Sequence, residues 1–313
     1  MSNQNLGGFI SATYDPFSGK ATEVEYLIVG GGGSGGDGAG AGPCGSAGGG
    51  AGGFREGTKL SVTPGVVYTI TVGAGGPQGT NAADPHGANG ASSSFSTITA
   101  SGGGGGGGNY QSVSNYLFNR GWPGGSAGGN CYGSAYNLPT ATGNIGGFTP
   151  PEGYDGNQHG GGSGTGGGGA GGVGFFSDSG NGNGGQGKGS TISGTLRYYA
   201  GGGGGAGYAG DYELNAGGRG GGGDGYTNLG FSGAGGSVEL AAQGQSGRAN
   251  SGGGGGGNNG AAPGNRGAGG GSGIAILRYP ATLSPPANTV NSVPSYAHGY
   301  QIYTWTQSGT ITF

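Results

Sequence analysis

The sequence predicts an all-β chain with almost no α-helix, built as a shell or sandwich of strands around packed polyglycine II tracts. Three observations carry this. Glycine supplies 97 of 313 residues, mostly in runs, while charged residues make up only 7%, against roughly 25% in typical soluble domains. The apolar segments are short, β-branched or aromatic, and recur along the whole length. No window repeats its apolar residues every 3.6 positions, and glycine and proline interrupt any helix the remaining residues could start.

The strand candidates, in order, are "VEYLIV" (24–29), "KLSV" (59–62), "VVYTITV" (66–72), "SFSTITA" (94–100), "TLRYYA" (195–200), "SVEL" (237–240), "GIAILRY" (273–279) and "QIYTWT" (301–306). In "KLSVTPGVVYTITV", Pro64-Gly65 marks a turn and so predicts a hairpin. Its second strand places Val66, Tyr68, Ile70 and Val72 on one face and Val67, Thr69 and Thr71 on the other. After a proline-marked connection (280–295), the C-terminal "YAHGYQIYTWTQSGTITF" reads as two alternating runs around Gln307-Ser308-Gly309, a second hairpin. It carries Tyr300, Ile302, Trp305, Ile311 and Phe313. A hairpin left unpaired would expose adhesive edges, so it is expected to pair either with residues 23–29 of its own chain or, preferentially, with a neighbouring subunit. The organisation is therefore an N-terminal segment (1–21), a glycine-rich β domain (22–280), and a linker with a terminal hairpin (281–313).

Glycine runs follow or precede strands at 30–33, 102–108, 201–205, 252–257 and 269–271. Ordering glycine is costly, about 1–2 kcal/mol per residue in backbone entropy, with no side chain buried in return. Yet a disordered chain is usually highly charged, and this one is not. The spacing is irregular, which excludes collagen. A glycine run can instead adopt the extended threefold helix, which rises about 3.1 Å per residue and has no internal hydrogen bonds. Such helices can lie side by side and satisfy one another's N–H and C=O groups, giving a core made of backbone.

Several functions are disfavoured. A net charge of −3 and the absence of any Lys/Arg run argue against nucleic-acid binding. No apolar stretch approaches a membrane span, and "MSNQNLGGF" is no classical signal peptide, so neither membrane insertion nor signal-dependent export is expected. Gly31, Gly33 and Gly36 match G-x-G-x-x-G, but no helix follows to face a pyrophosphate. "GNGGQGKGS" places Gly182, Gly187 and Lys188 at phosphate-loop spacing, but Gly189 stands where a Ser/Thr should ligate Mg²⁺. His86, His159 and His298 are scattered, and Cys44 and Cys131 share no metal-ligand spacing. No enzyme activity, metal or cofactor is expected, and the two cysteines read as thiols rather than a bridge.

Residues 109–154 depart from the pattern by spreading aromatic rings among Asn, Ser and Gly, a composition suited to binding loops. Tyr110, Tyr116, Phe118, Trp122, Tyr132 and Tyr136 are candidates for receptor contact there. Phe175 and Phe176 follow in 173–181, and Tyr212 and Tyr226 in 207–231. The same rings could equally cover the glycine core.

The ordered set "VEYLIVGGGGSGG", "GGGAGGFREGTKLSVTPGVVYTITVGAGG", "GANGASSSFSTITASGGGGGGG", "YYAGGGGGAG" and "GGSGIAILRYP" resembles the glycine-rich domain of tailed-bacteriophage tail fibre, tail-tip and adhesin proteins over residues 22–280. The resemblance implies a virion protein that recognises a host-surface receptor, a polysaccharide or outer-membrane protein, through loops on a polyglycine scaffold. It also implies contact with other virion subunits and a homo-oligomer, with a trimer favoured. A purely structural appendage or capsid decoration subunit is the alternative. An ice-binding polyglycine protein, similar to the snow flea family, fits less well, because the glycine runs are irregular and the loops are rich in aromatics.

Overall fold

The computed structural model describes residues 19–38, 45–80, 84–108, 116–131, 139–157, 163–176, 182–207, 215–226, 244–258 and 266–313. Its strands are β1 (Glu23–Val29), β2 (Phe54–Ser61), β3 (Val67–Thr71), β4 (Ser93–Phe95), β5 (Ile98–Ala100), β6 (Lys188–Ser190), β7 (Arg197–Tyr199), β8 (Ile274–Pro280), β9 (Asn288–Ala297) and β10 (Tyr300–Thr312). Among the described residues the single helical element is a 3-10 turn, Tyr116–Asn119. The all-β expectation therefore holds. The segment 237–240 lies outside the described residues.

Seven strands follow the order β2-β1-β8-β10-β3-β4-β5, β9 adds to β10, and β6 and β7 pair separately. Arg55 Nη1 of β2 donates to the Thr99 carbonyl of β5 at 3.3 Å, so the two ends of the order meet and the sheet nearly closes into a barrel. Strict alternation fills it. Val24 and Ile28 of β1, Ala275, Leu277 and Tyr279 of β8, Ile70 of β3, and Tyr303, Trp305 and Ile311 of β10 point into one buried cluster with Phe95 and Phe313. Tyr68 and Val72 pack against it while Val67 is exposed, as the alternation of "VVYTITV" requires. The opposite faces of the same strands supply Leu27, Val29, Ile274, Ile276 and Ile302, which bury a second cluster with Phe54, Ile192 and Tyr199.

Pro64-Gly65 does form a turn: Val66 N donates to the Thr63 carbonyl at 3.2 Å, and Gly65 has φ +80°. The hairpin expected around it does not form, because β2 pairs with β1 and β3 pairs with β10 and β4. A turn with positive φ only at its second central residue is type II, and its twist splays the flanking strands instead of pairing them.

The C-terminal segment also differs from expectation. β10 runs unbroken from Tyr300 to Thr312, with its first half against β8 and its second against β3. The hairpin is β9–β10, closed by His298-Gly299, both with positive φ (51° and 80°), as a type I′ turn demands. Gln307-Ser308-Gly309 is a bulge: pairing jumps from Trp305↔Ser292 to Thr310↔Val290. Ser308 Oγ accepts from Val72 N at 3.0 Å, and the Ser308 carbonyl accepts from Asn291 Nδ2 at 2.8 Å. Ile302, Trp305, Ile311 and Phe313, expected to face a neighbouring subunit, are instead 2% exposed or less within their own chain. Tyr300 is half-buried against the second cluster. Burying these side chains in the sheet core stabilises the fold by about 1.5–3 kcal/mol each.

The glycine tracts continue the strands. Tract 30–37 follows β1, 45–53 precedes β2, 101–108 follows β5, 200–207 follows β7 and 266–273 precedes β8. Register places those strand ends together, with Val29 opposite both Phe54 and Ile274, and Ser93 opposite Ala100. The glycine bundle therefore grows from one end of the barrel.

Within the bundle the hydrogen bonds repeat every three residues. Gly30, Gly33 and Gly36 donate to the carbonyls of Gly53, Gly50 and Ala47; Gly31, Ser34 and Asp37 donate to Ala91, Ala88 and Pro85; Gly32 and Gly35 donate to Gly271 and Ala268. The carbonyls of the same tract accept from Gly103 and Gly106, from Gly255, and from Gly76. Tract 45–53 behaves alike: Ser46, Gly49 and Gly52 donate to Asn258, Gly255 and Gly252, while Ala47, Gly50 and Gly53 donate to Gly107, Gly104 and Ser101. Each inner tract thus satisfies its backbone through several surrounding tracts, the accounting that a buried segment without side chains must meet. A period of three is that of an extended threefold chain.

Candidate functional site

Away from the barrel, a layer of lateral backbone bonds cross-links neighbouring tracts. Cys131 N donates to the Asn119 carbonyl, Asn130 N to Asn157, Phe175 N to Asn183, Gly207 N to Tyr226, Tyr226 N to Gly257, and Ser46 N to Asn258. Gly267 N bonds the buried Asp37 carboxylate, closing the layer on that side. At the barrel end the chain reverses through strands or short turns such as 219–221 and 249–251.

Phe118, Phe175, Phe176 and Tyr226 lie on that layer or beside it. Phe175 is exposed, whereas Phe176 and Tyr226 are partly buried. Tyr116 opens the 3-10 turn. Tyr110, Tyr132, Tyr136 and Tyr212 fall outside the described residues, as do Cys44 and His159. Cys131 is buried, and its Sγ donates to the Gly45 carbonyl at 3.0 Å.

The densest grouping of functional side chains includes a residue that sequence patterns did not select. The His86 ring packs at a tilt against Trp122, ring centroids 4.9 Å apart and planes at 47°, and against Phe118 at 5.4 Å and 60°. Its Nδ1 lies 2.6 Å from Asp84 Oδ1, which also accepts from the His86 backbone N–H. Asp84 remains largely exposed and Trp122 is 44% exposed. With Thr80, Gly87, Ala88 and Asn89 they line an open hollow of about 530 Å³. Tracts 85–91 and 102–108 fix the two walls: Ser34 N bonds Ala88 O, Trp122 N bonds Gly105 O, and Gly105 N bonds Asn89 Oδ1. An indole face bordered by a carboxylate and an imidazole can stack on a flat apolar surface and hydrogen-bond hydroxyls at its rim. The backbone pins that orient it are long-range, so spacing along the chain could not reveal the grouping.

The two phosphate-loop lookalikes have other structural roles. Gly31, Gly33 and Gly36 spend their N–H groups on neighbouring tracts. Lys188 lies on β6, its Nζ 5.2 Å from the Phe54 ring centroid. Among the described residues no three His, Cys, Asp or Glu side chains gather where they could hold a metal ion, and no helix is long and apolar enough to cross a membrane.

The fold defines an all-β protein with a nearly closed barrel-like sheet and glycine tracts hydrogen-bonded to one another through their backbones. The chain belongs to the glycine-rich domain family, whose model matches residues 10–280. No curated protein and no solved structure matches it.

Proposed function

We propose that the chain is a tail fibre or tail-tip protein of a tailed bacteriophage, an adhesin that binds a host-surface receptor through loops held on a polyglycine II scaffold. The observation that supports this best is the Trp122–His86–Asp84 hollow, carried on a bundle of glycine tracts whose backbone groups are mutually hydrogen-bonded. Such a scaffold holds its loops rigidly while leaving their sequences unconstrained, the division of labour expected of a recognition protein. The Trp122–His86–Asp84 hollow suits a sugar ring or an aromatic side chain of a receptor, so a polysaccharide and an outer-membrane protein both fit. No catalytic role, cofactor or nucleic-acid partner enters this reading.

Contact with other virion subunits and a homo-oligomer, favoured as a trimer, are part of the proposal. With Ile302, Trp305, Ile311 and Phe313 committed to the intrachain core, β9 is the C-terminal edge that faces outward, exposing Val293 and Tyr296 at 64% and 67%. That edge also favours the structural alternative, an appendage subunit held to its neighbours through β9. Labelled protein mixed with host cells tests the adhesin reading: saturable binding is expected, and protein that stays in solution at every concentration would overturn it. Immunogold labelling of intact particles should mark the tail; label confined to the capsid would favour the decoration role.

A further inference from the structure

At the opposite end of the bundle, where the second cluster meets the barrel, lies a hollow of about 670 Å³ with Arg197, Arg219 and Arg248 on its walls. These three come from separate parts of the chain, and the whole protein has only 10 Lys and Arg in total and a net charge of −3. Their convergence therefore runs against the overall charge.

The backbone of each arginine is fixed. Arg197 sits on β7. Arg219 N donates to Gln186 Oε1 at 3.2 Å, and its carbonyl accepts from Gly187 N at 2.7 Å. Arg248 N donates to the Gly221 carbonyl at 2.7 Å, and Ser251 Oγ donates to the Arg248 carbonyl at 2.7 Å. The guanidinium of Arg219 lies over the Tyr198 ring, 4.2 Å from its centroid, a contact that favours the cation there. Among the described residues the ion pairs are His86–Asp84 and Arg278–Glu25, so none of the three arginines is paired with a carboxylate there. Glu56 is the acidic group whose charge reaches Tyr199 on this wall. Its Oε1 accepts the Ser190 hydroxyl instead. Arg197 and Arg248 also act on Tyr199, favouring its ionised form against the upward push of burial. Three guanidiniums lining one hollow, none paired with a carboxylate among the described residues, repel one another, and a bound anion would relieve that repulsion. Asn250, Thr304 and Thr306 add polar groups to the lining, and Leu196 and Ile274 add apolar surface. The volume falls within the range of small-molecule sites, roughly 300–1,000 Å³.

We propose that this hollow is a binding site for a small organic anion bearing a phosphate or carboxylate group, held by Arg197, Arg219 and Arg248. Planar guanidiniums match both groups through paired N–H donors. The site is separate from the Trp122–His86–Asp84 hollow and does not depend on the adhesin reading.

Calorimetric titration of the full chain at constant ionic strength tests it, with inorganic phosphate in one arm and citrate in the other. Saturable heat is expected in at least one arm. Binding should be at least tenfold weaker in the Arg219→Gln/Arg248→Gln double variant and unchanged in Arg266→Gln, an exposed arginine elsewhere. Heat with phosphate alone assigns a phosphate ligand, and heat with citrate alone a carboxylate. No saturable heat in either arm, or equal binding by the double variant, would overturn the proposal. Thermal unfolding without ligand, equal for wild type and double variant, verifies that a lost signal reports the site and not the fold.

Discussion

Gly104→Ala puts a methyl group where the bundle has no room for one. A Cβ built at Gly104 lies 2.7 Å from the carbonyl carbon of Trp122 and 3.0 Å from Gly128 N, where van der Waals contact needs about 3.4–4.0 Å. These neighbours are backbone and cannot swing aside, so a tract must shift by several tenths of an ångström or more. Gly104 lies between two other tracts: its N–H donates to the Ser126 carbonyl at 2.9 Å, and its carbonyl accepts from Gly50 N at 2.7 Å. Overpacking alone typically costs about 1–3 kcal/mol. Each buried backbone bond left unmet adds about 1–3 kcal/mol. We therefore expect Gly104→Ala to lose roughly 3–9 kcal/mol, a large part of the 5–15 kcal/mol typical of a folded domain. Gly172, where an added Cβ meets nothing within 4 Å, is the control and should change by about 0.5 kcal/mol or less. Urea unfolding of the two variants measures the difference. A Gly104→Ala protein as stable as Gly172→Ala would refute a core made of packed backbone, and replacing Gly104 and Gly105 together by Val should abolish soluble folded protein.

Trp305 is fully buried and its Nε1 donates to the Val290 carbonyl at 2.9 Å, so Trp305→Ala should cost about 3–5 kcal/mol in urea unfolding. If the terminal segment instead served a subunit contact, that variant would dissociate an oligomer without lowering monomer stability. Burial raises the hydroxyl pKa of Tyr279, Tyr303 and Tyr199 above the ordinary tyrosine value of about 10. The folded state therefore holds these protons when the unfolded chain has released them. Stability from this source is complete below about pH 10 and falls as pH rises further, by up to ~1.4 kcal/mol per pH unit for each tyrosine. The tyrosinate absorbance of these three should rise late, together with unfolding; their titration near pH 10 in folded protein would contradict the burial. Truncation before residue 288 removes β10 from the middle of the barrel order, together with β9, so it should prevent folding of the barrel; a truncated chain with native circular dichroism would refute this topology.

Strand positions and faces were legible in the sequence wherever alternation was clean. "VEYLIV", "GIAILRY" and "VVYTITV" become β1, β8 and β3; in the last, Tyr68, Ile70 and Val72 face the core as expected, whereas Val66, which precedes the strand, is 44% exposed. Strand partners were less legible, because alternation fixes a face but names no neighbour. Val72 and Ser308 bond across 236 residues, and nothing local in "TITV" points to β10. Turn chemistry misled twice. Pro64-Gly65 signalled a turn without saying that its twist would separate the strands, and Gln307-Ser308-Gly309 looked like a loop although the true I′ turn is His298-Gly299. The glycine runs were readable as a backbone core because their low charge and strand-like lengths left little else for them to be. The His86–Trp122 hollow was only half visible: the aromatic composition singled out Trp122, but Asp84 and His86 join it through hydrogen bonds between tracts.

The most direct measurement is competition between purified protein and intact particles for adsorption to host cells, comparing changes at the two ends of the molecule. Wild-type protein should slow particle adsorption, and a Val293→Ser/Tyr296→Ser variant on β9 should slow it equally. A His86→Ala/Trp122→Ala variant, folded as judged by thermal unfolding, should block at least tenfold less well. Blocking by that variant equal to wild type, or no blocking by wild type at any concentration, would contradict receptor engagement through the Trp122–His86–Asp84 hollow.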